Sequence, residues 1–423
     1  MNILILGGGG REHAFCWKLS KSKIINDIFI APGNAGTSEL GVNLDISVND
    51  FLAIKEEVIK NKIEMVLVGP EDPLVNGIHD FFLSDKILNL IPVIGPTKKA
   101  AMLEGSKDFA KKFMERNSIP TAKYATFDKR TIKEGHEFLN TLNPPYVLKA
   151  DGLAAGKGVL IINDLAQAKT ELSEMLVGEK FGSASEKVII EEFLKGIELS
   201  CFLITDGKSY LTLPLAKDYK RIGEGDTGLN TGGMGAVSPV PFADESFLNK
   251  IDENIIKPTI KGLAQEKINY VGFIFIGLIK VHNSPYVIEY NVRMGDPETQ
   301  VVLPRIKNDF GEILSSITSK EISKIKLEVD DKFATTIFAV SGGYPGSYEK
   351  GKKILNIDEI QGSNVFHAGT VSKGSNIYTN GGRVLAITSL EESFKEAINK
   401  SYKELKKINF DGMNYRKDIG FDL

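Results

Sequence analysis

Four short apolar runs, ILIL at 3–6, IFI at 28–30, MVLV at 65–68 and IPVI at 91–94, each give way within two residues to glycine or proline. The stops are Gly7, Pro32, Gly69-Pro70 and Gly95-Pro96. Unbroken apolar runs of this length, separated by amphipathic stretches, are the mark of parallel strands buried on both faces. An open parallel sheet carries its ligand crevice at the carboxyl ends of its strands. The three loops "GGGGREHAF" (7–15), "APGNAGT" (31–37) and "VGPEDPLVNG" (68–77) are therefore expected on one edge.

The glycine turn does not fit a dinucleotide fingerprint. That motif needs a third glycine where the helix packs on the strand. Counted from Gly7 the place holds Glu12, and counted from Gly8 it holds His13. The second strand also runs into Ala31-Pro32-Gly33-Asn34 instead of an acid for the ribose. What remains is a strand-to-helix turn with N–H groups to offer an anion, or only a close approach of helix to strand.

A chain of 423 residues suggests about three domains. Its 52 basic and 55 acidic residues are well mixed, which argues against a nucleic-acid or membrane-surface partner. Cys16 and Cys201 form neither a disulfide framework nor a zinc spacing, as expected in a reducing cytoplasm. The N-terminus does not read as a signal peptide, and no run reaches a membrane span of roughly 18 residues. The expectation is a cytoplasmic monomer that handles small molecules.

Four later stretches carry chemistry. In "LKADGLAAGKGV" (148–159), Gly152, Gly156, Lys157 and Gly158 sit at a hairpin tip. Glycines there allow close approach, and a lysine supplies a point charge for phosphate. Lys149 lies in an apolar strand and needs an anion, which weighs against a merely solvated hairpin. In "VIIEEFLKGIELS" (188–200), a strand leaving through Glu191, Glu192, Phe193 and Leu194 offers backbone to an adenine edge, and Glu198 suits ribose hydroxyls. In "VIEYNVRMGDPETQ" (287–300), Glu289, Asn291 and Arg293 share one strand face. The first two are oxygen ligands suited to Mg²⁺ shared with phosphates, and Arg293 can clamp a carboxylate or phosphate. "KDYKRIGEGDTGLNTGGMGAVSP" (217–239) reads as a long functional loop containing Asp218, Lys220, Arg221, Asp226 and Thr231. The five histidines form no ligand spacing. A closing helix is expected from Ser389, with Ser389 and Glu392 as its capping box.

Taken together, these stretches resemble the phosphoribosylamine–glycine ligases, an ATP-grasp family of purine biosynthesis. The likeness also takes in "LEGSKDFAKKFM", "VFHAGT" and "TNGGRVLAIT" and spans nearly the whole chain. "DGLAAGKGV" together with "NTGGMGA" makes it specific. The resemblance implies a multidomain α/β and α+β protein. An N-terminal Rossmann-like domain (1–103) and a connecting helix (104–122) precede an ATP-grasp lid (123–192) and main portion (193–329), and a small C-terminal α/β domain (330–423) ends the chain. It implies ATP as co-substrate, held by Lys107, Lys149, the loop of Lys157, residues 191–194 and Glu198, with Mg²⁺ or Mn²⁺ on Glu289 and Asn291. Arg293, Lys157 and Asp218 are its catalytic candidates. Lys220, Thr231, Gly232, Gly233, Arg293 and Asp296 are its substrate-binding candidates. Strand-end geometry adds Gly8, Gly9, Gly10, Asn34 and Glu71 as receivers of the sugar phosphate.

The implied reaction has the glycine carboxylate attack the γ-phosphate, after which the amine of 5-phosphoribosylamine attacks the glycyl phosphate. No protein nucleophile is needed, in keeping with the lack of a Ser or Cys dyad. Two departures stand out: Tyr219 where the family commonly has histidine, and Leu229 where it commonly has proline. A tyrosine, with its unperturbed pKa of about 10, does not replace a histidine proton shuttle, so position 219 is expected to be positional. The rivals are a ribonucleotide-carboxylating ATP-grasp enzyme and a non-enzymatic nucleotide-binding protein.

Overall fold

The structure, a computed structural model, describes residues 1–154, 158–178 and 180–423. The apolar runs become a parallel sheet of β1 (Ile3–Gly7), β2 (Ile28–Pro32), β3 (Val42–Asn43), β4 (Met65–Val68) and β5 (Val93–Ile94), in the order β3-β2-β1-β4-β5. Every residue of β1 is buried. The loops at the carboxyl ends touch as expected. A Cβ on Gly8 would stand 2.6 Å from the Gly33 carbonyl oxygen, so only glycine permits that approach. The helix Gly10–Leu19 leaves the turn and buries Phe15 completely. Its ring stacks 5.7 Å from Phe273 and 6.1 Å from Phe310, well outside this sheet. Truncating such a ring costs about 3–5 kcal/mol, so Phe15 fixes the glycine turn firmly over the rest of the molecule.

Next come β6 (Tyr124–Asp128), β7 (Tyr146–Ala150), β8 (Val159–Ile162) and β9 (Lys187–Glu192), an antiparallel sheet ordered β6-β9-β7-β8. Helices Ile132–Asn140 and Leu165–Leu176 cover it and close a core of their own around Leu139, Leu148, Leu172 and Ile190. The helix Lys107–Arg116 leads into this part of the chain, with the Ser106 hydroxyl accepting from the Phe109 N–H at 3.1 Å, as its sequence predicts.

The chain continues through β10 (Ile197–Thr205), β11 (Tyr210–Thr212), β12 (Lys217–Asp218), β13 (Arg221–Gly223), β14 (Thr227–Asn230), β15 (Gly235–Ser238), β16 (Gly272–Val281) and β17 (Ser284–Asn291). The long strands form a central antiparallel sheet, β11-β10-β16-β17. The stretch 217–239, expected as a loop, is instead short strands joined by a ribbon, β13–β14. Arg416 grips that ribbon at Asp226 (2.6 Å), and Asp418 accepts from the Gly225 N–H at 2.7 Å.

The last part comprises β18 (Phe333–Val340), β19 (Asn364–His367), β20 (Thr370–Lys373), β21 (Asn376–Thr379) and β22 (Arg383–Glu391). Its antiparallel sheet, β12-β15-β18-β22-β19, recruits β12 and β15 from the preceding segment. The closing helix is Phe394–Leu405, capped by Ser393 with Glu396, not by Ser389 with Glu392. Both pairs have the same spacing, but β22 runs on to Glu391 with Ser389 buried opposite Thr335, so the ladder takes the first serine. Cys16 and Cys201 are free and buried. No helix among the described residues is long and apolar enough to cross a membrane.

Candidate active site

A cleft opens between the β6–β9 sheet and the central sheet, lined among others by Lys107, Lys111, Lys149, Gly158, Glu191, Glu289, Asn291 and Arg293. Pairing of β7 with β9 sets Val147 opposite Glu191 and Lys149 opposite Ile189. Lys149 and Glu191 are thereby diagonal neighbours on one face. Glu191 is the anion that Lys149 required: their charged atoms stand 2.9 Å apart, and Lys111 reaches the other carboxylate oxygen at 3.2 Å. All three are buried. Burial alone would raise the Glu191 carboxyl, but Lys149 and Lys111 outweigh it and hold it below the ordinary range. Burial brings Lys111 down to about 8 against the pull of Glu191. Two ammonium groups on one carboxylate leave a surplus positive charge in the cleft, suited to a polyphosphate.

Lys107 lies at the start of its helix and donates to the carbonyls of Gly152 (3.2 Å) and Asp151 (3.4 Å). The Asp151 carboxylate in turn accepts from the Asp108 N–H at 2.8 Å. Helix and hairpin root are thus tied at the cleft wall. Glu192 is used at the sheet edge, where it accepts from the Lys123 N–H at 2.8 Å. Phe193 is exposed and Leu194 half-buried just beyond β9. Gly156 and Lys157 lie outside the described residues.

Across the cleft, Glu289 stands opposite Gly277 and forms no hydrogen bond or ion pair among the described residues. It is near enough to Lys107 and Lys220 to hold charge on both. Asn291 is buried; its Oδ1 accepts from Arg293 at 3.2 Å, while its Nδ2 is a buried donor without a partner. No cluster of three or more His, Cys, Asp or Glu able to hold a metal occurs among the described residues. A free carboxylate beside an amide oxygen still fits a hard divalent cation that brings phosphate oxygens as its other ligands.

Arg293 is fully engaged. It donates to Glu71 at 3.1 Å, to Glu104 at 2.8 Å, and to the Met294 carbonyl at 3.3 Å. Burial pushes Glu104 up to about 7 against the attraction of Arg293. The segment after Arg293 leads to a junction of the N-terminal, central and C-terminal parts of the chain. There Asp296 meets Arg383 (2.9 Å) and Gln300 (2.6 Å) beside Gly9 and Gly10. Thr231 bonds the Lys220 carbonyl at 2.8 Å, and Gly232 and Gly233 pack on Arg383 and Pro297. Lys220 itself bridges Glu198 (2.8 Å) and Asp218 (3.8 Å). Burial raises the Asp218 carboxyl, and burial together with Asp218 brings Glu298 up to about 7.

Two placements bear on the sugar-phosphate expectation. The Glu12 carboxylate accepts the Gly9 N–H at 2.7 Å, so one donor of the turn is used within the chain. Asn34 is saturated by backbone: its amide donates to Gly8, Gly9 and His367 carbonyls and accepts from Gly36 and Thr37. Reading the sequence missed Lys111, Glu104, Glu298, Gln300 and Arg383. A lysine at 111, one turn after Lys107 on the face of an amphipathic helix that also buries Phe113 and Met114, is the one signal that was available.

Profiles of the phosphoribosylglycinamide synthetase N domain, ATP-grasp (A) domain and C domain match residues 1–104, 105–299 and 334–422. The phosphoribosylamine–glycine ligase of Caldanaerobacter subterraneus subsp. tengcongensis is 46% identical over 419 residues, covering 99% of each chain. That of Fusobacterium nucleatum is 42% identical over 424 residues, covering 99% of this chain and 98% of its own. The crystal structure of phosphoribosylamine–glycine ligase from Thermotoga maritima superposes with a TM-score of 0.85 at 36% identity, over 99% of this chain and 100% of that one. An N5-carboxyaminoimidazole ribonucleotide synthetase from the same organism shares the fold (TM-score 0.63, 16% identity, 97% and 99% coverage). With these matches end to end and its cleft built as described, the chain belongs to the phosphoribosylglycinamide synthetase family, with an ATP-grasp fold between an N-terminal and a C-terminal domain.

Proposed function

We propose that this protein is a phosphoribosylamine–glycine ligase, joining glycine to 5-phosphoribosylamine with conversion of ATP to ADP and phosphate. The observation that carries the reading is the cleft in which Lys107, Lys149 and Lys111 face Glu289 and Asn291, with Arg293 on its lining three residues before Asp296. Triphosphate binds where Lys107, Lys149 and Lys111 supply the surplus positive charge. Residues 191–194 meet the adenine and Glu198 the ribose. Lys157 is assigned to the phosphates on its sequence context alone. Glu289 and Asn291 would hold Mg²⁺ or Mn²⁺, which neutralises phosphate charge when bound.

Phosphoryl transfer is mostly positioning and charge neutralisation. Arg293 is placed to orient the glycine carboxylate, exchanging its weakest bond, the one to the Met294 carbonyl, for the substrate. The acyl phosphate so formed is open to water, which a closing lid must exclude. The segment 123–192 suits that part because it carries its own core and can move without unpacking the central sheet. Asp218 lies buried beside Lys220 and Glu298, placed to take the proton that the attacking amine releases. The protein is read as a cytoplasmic monomer without nucleic-acid or membrane partners, in keeping with its evenly mixed charge.

The test is ADP formation with each substrate omitted in turn. Turnover that needs both glycine and the amine supports the reading. Turnover with bicarbonate in place of glycine, or none at all, sinks it.

A further inference from the structure

We infer that Arg383 is a positioning residue for the acyl acceptor, holding the Asp296 carboxylate and the Gly232-Gly233 backbone where the amine substrate meets the acyl phosphate. This rests on the function proposed above. Arg383 begins β22, in the segment "TNGGRVLAIT", and belongs to the C-terminal part of the chain. Its guanidinium lies 4.7 Å over the Phe338 ring, which fixes its plane. One terminal nitrogen donates to the Asp296 carbonyl at 2.7 Å and to the Gly232 carbonyl; the other meets Asp296 Oδ2 at 2.9 Å. A planar fork spanning a carboxylate and two carbonyls is a task lysine performs poorly.

The setting is that of a site. Asp296 is held on both oxygens, Oδ2 by Arg383 and Oδ1 by Gln300. Its side chain nevertheless stays 13% exposed and that of Arg383 17% exposed, so the pair forms a wall and not a core. Gln300 is completely buried, and its Oε1 has no partner. Glycines crowd the wall. A Cβ on Gly9 would stand 3.3 Å from Asp296, on Gly10 2.5 Å from Gln300, on Gly232 3.0 Å from Arg383 and on Gly233 2.4 Å from Pro297.

The exposed carboxylate decides which end of the acceptor comes here. The Gly9 N–H is already taken by Glu12, and Asp296 adds a second carboxylate beside the same turn. Each carboxylate is partnered by an arginine, Glu12 by Arg11 at 2.6 Å and Asp296 by Arg383 at 2.9 Å, and a carboxylate oxygen accepts from hydroxyls and from an amine. The donor face of the acceptor, its ribose hydroxyls and amine, therefore lies against Asp296. Position along the chain agrees. Residues 289–296 run from Glu289 and Asn291 to this wall, so the acceptor at Asp296 and the phosphates share one stretch of chain.

The experiment compares wild type, Arg383→Met, Arg383→Lys and Asp296→Asn in two calorimetric titrations. One uses glycinamide ribonucleotide, the product that carries the same ribosyl group, and the other a non-hydrolysable ATP analogue. Steady-state KM values for amine and ATP are measured alongside. Arg383→Met and Asp296→Asn are expected to weaken product binding and raise the amine KM by about tenfold or more, as loss of a charged hydrogen-bond set implies. The ATP analogue should bind within about twofold of wild type, with Arg383→Lys intermediate for the product. Asp296→Asn keeps size and carries the test if Arg383→Met does not fold. An active wild type whose Arg383→Met and Asp296→Asn variants bind product normally, or lose ATP and product affinity equally, overturns the inference alone. A wild type without glycine-dependent ADP formation overturns the function and the inference with it.

Discussion

The glycine-turn helix and the C-terminal part of the chain meet through two buried histidines, and that contact should make stability depend on pH in a calculable way. His13 Nδ1 accepts the His367 backbone N–H at 2.7 Å, and the two rings stand 5.5 Å apart. Burial, with some repulsion from His367, lowers His13 to about 3, and burial lowers His367 to about 4. In the unfolded chain each histidine gains its proton near the ordinary value of about 6.5. Between that value and the folded one the unfolded state holds the extra proton, so stability falls as pH falls. At pH 5, about 1.5 units below the reference, the loss is about 2 kcal/mol per histidine relative to pH 8. That figure hardly depends on the folded values, because at pH 5 both folded rings are neutral. Glu104 and Glu298 act in the opposite sense: their raised folded values, about 7, add stability as pH falls through that range. The wild-type curve alone is therefore no test, and a difference is needed. His13→Asn keeps an acceptor for the His367 N–H but cannot titrate. Between pH 8 and pH 5 the wild type should lose about 2 kcal/mol more than His13→Asn. Urea unfolding followed by tryptophan fluorescence reads this interface directly. Trp17 is the one tryptophan of the chain, and its ring meets Phe366 edge-on at 5.7 Å. Equal pH responses in the two proteins would refute the reasoning.

Glu289→Gln should nearly abolish turnover, and Mg²⁺ should bind with nucleotide and not before it, because one acid and one amide make a weak site alone. Tight Mg²⁺ binding to the nucleotide-free protein in a direct titration would remove Glu289 from the metal role. Glu191→Gln strands two buried lysines and should cost about 3–5 kcal/mol in urea unfolding, whereas Lys111→Met leaves a neutral Lys149–Glu191 pair and should cost about 1 kcal/mol or less. Similar losses in both would show that the triad is not coupled as the distances imply. Tyr219→His should keep turnover within about tenfold, or 1.4 kcal/mol of barrier. Its unfolding midpoint should still fall, because the buried ring and its 2.9 Å bond to Asp422 are lost.

Local chemistry was legible in the sequence; partners distant in the chain were not. The parallel sheet was readable because a strand buried on both faces admits only apolar residues, and a glycine or proline must end it. The Ser106 cap was readable because capping is a contact over three residues. The Ser389 expectation failed where two serines offered the same cap and a strand pairing over 50 residues away in sequence decided between them. Lys149 showed that an anion was required without showing which, and Glu191 was in view only as an adenine neighbour. Arg383, Gln300 and the His13–His367 contact carry no local signal at all, since each is defined by a partner from another part of the fold.

Tyr219 shows how much a single missing fact can hide. β12 covers Lys217–Asp218, and the Tyr219 N–H carries the pairing on to the Gly235 carbonyl at 3.0 Å, so successive side chains alternate between two faces. Asp218 and Lys220 then share one face, where Lys220 meets Glu198 at 2.8 Å and Asp218 at 3.8 Å. Lys217 and Tyr219 share the other, where both bind the Asp422 carboxylate, at 2.7 Å and 2.9 Å. Arg416 lies 5.3 Å over the tyrosine ring from that same side. A residue so placed faces the end of the chain and is engaged there by Asp422. The departure from histidine at 219 is therefore a change in how the end of the chain is fastened beside β12, through the Tyr219 hydroxyl and the Asp422 carboxylate.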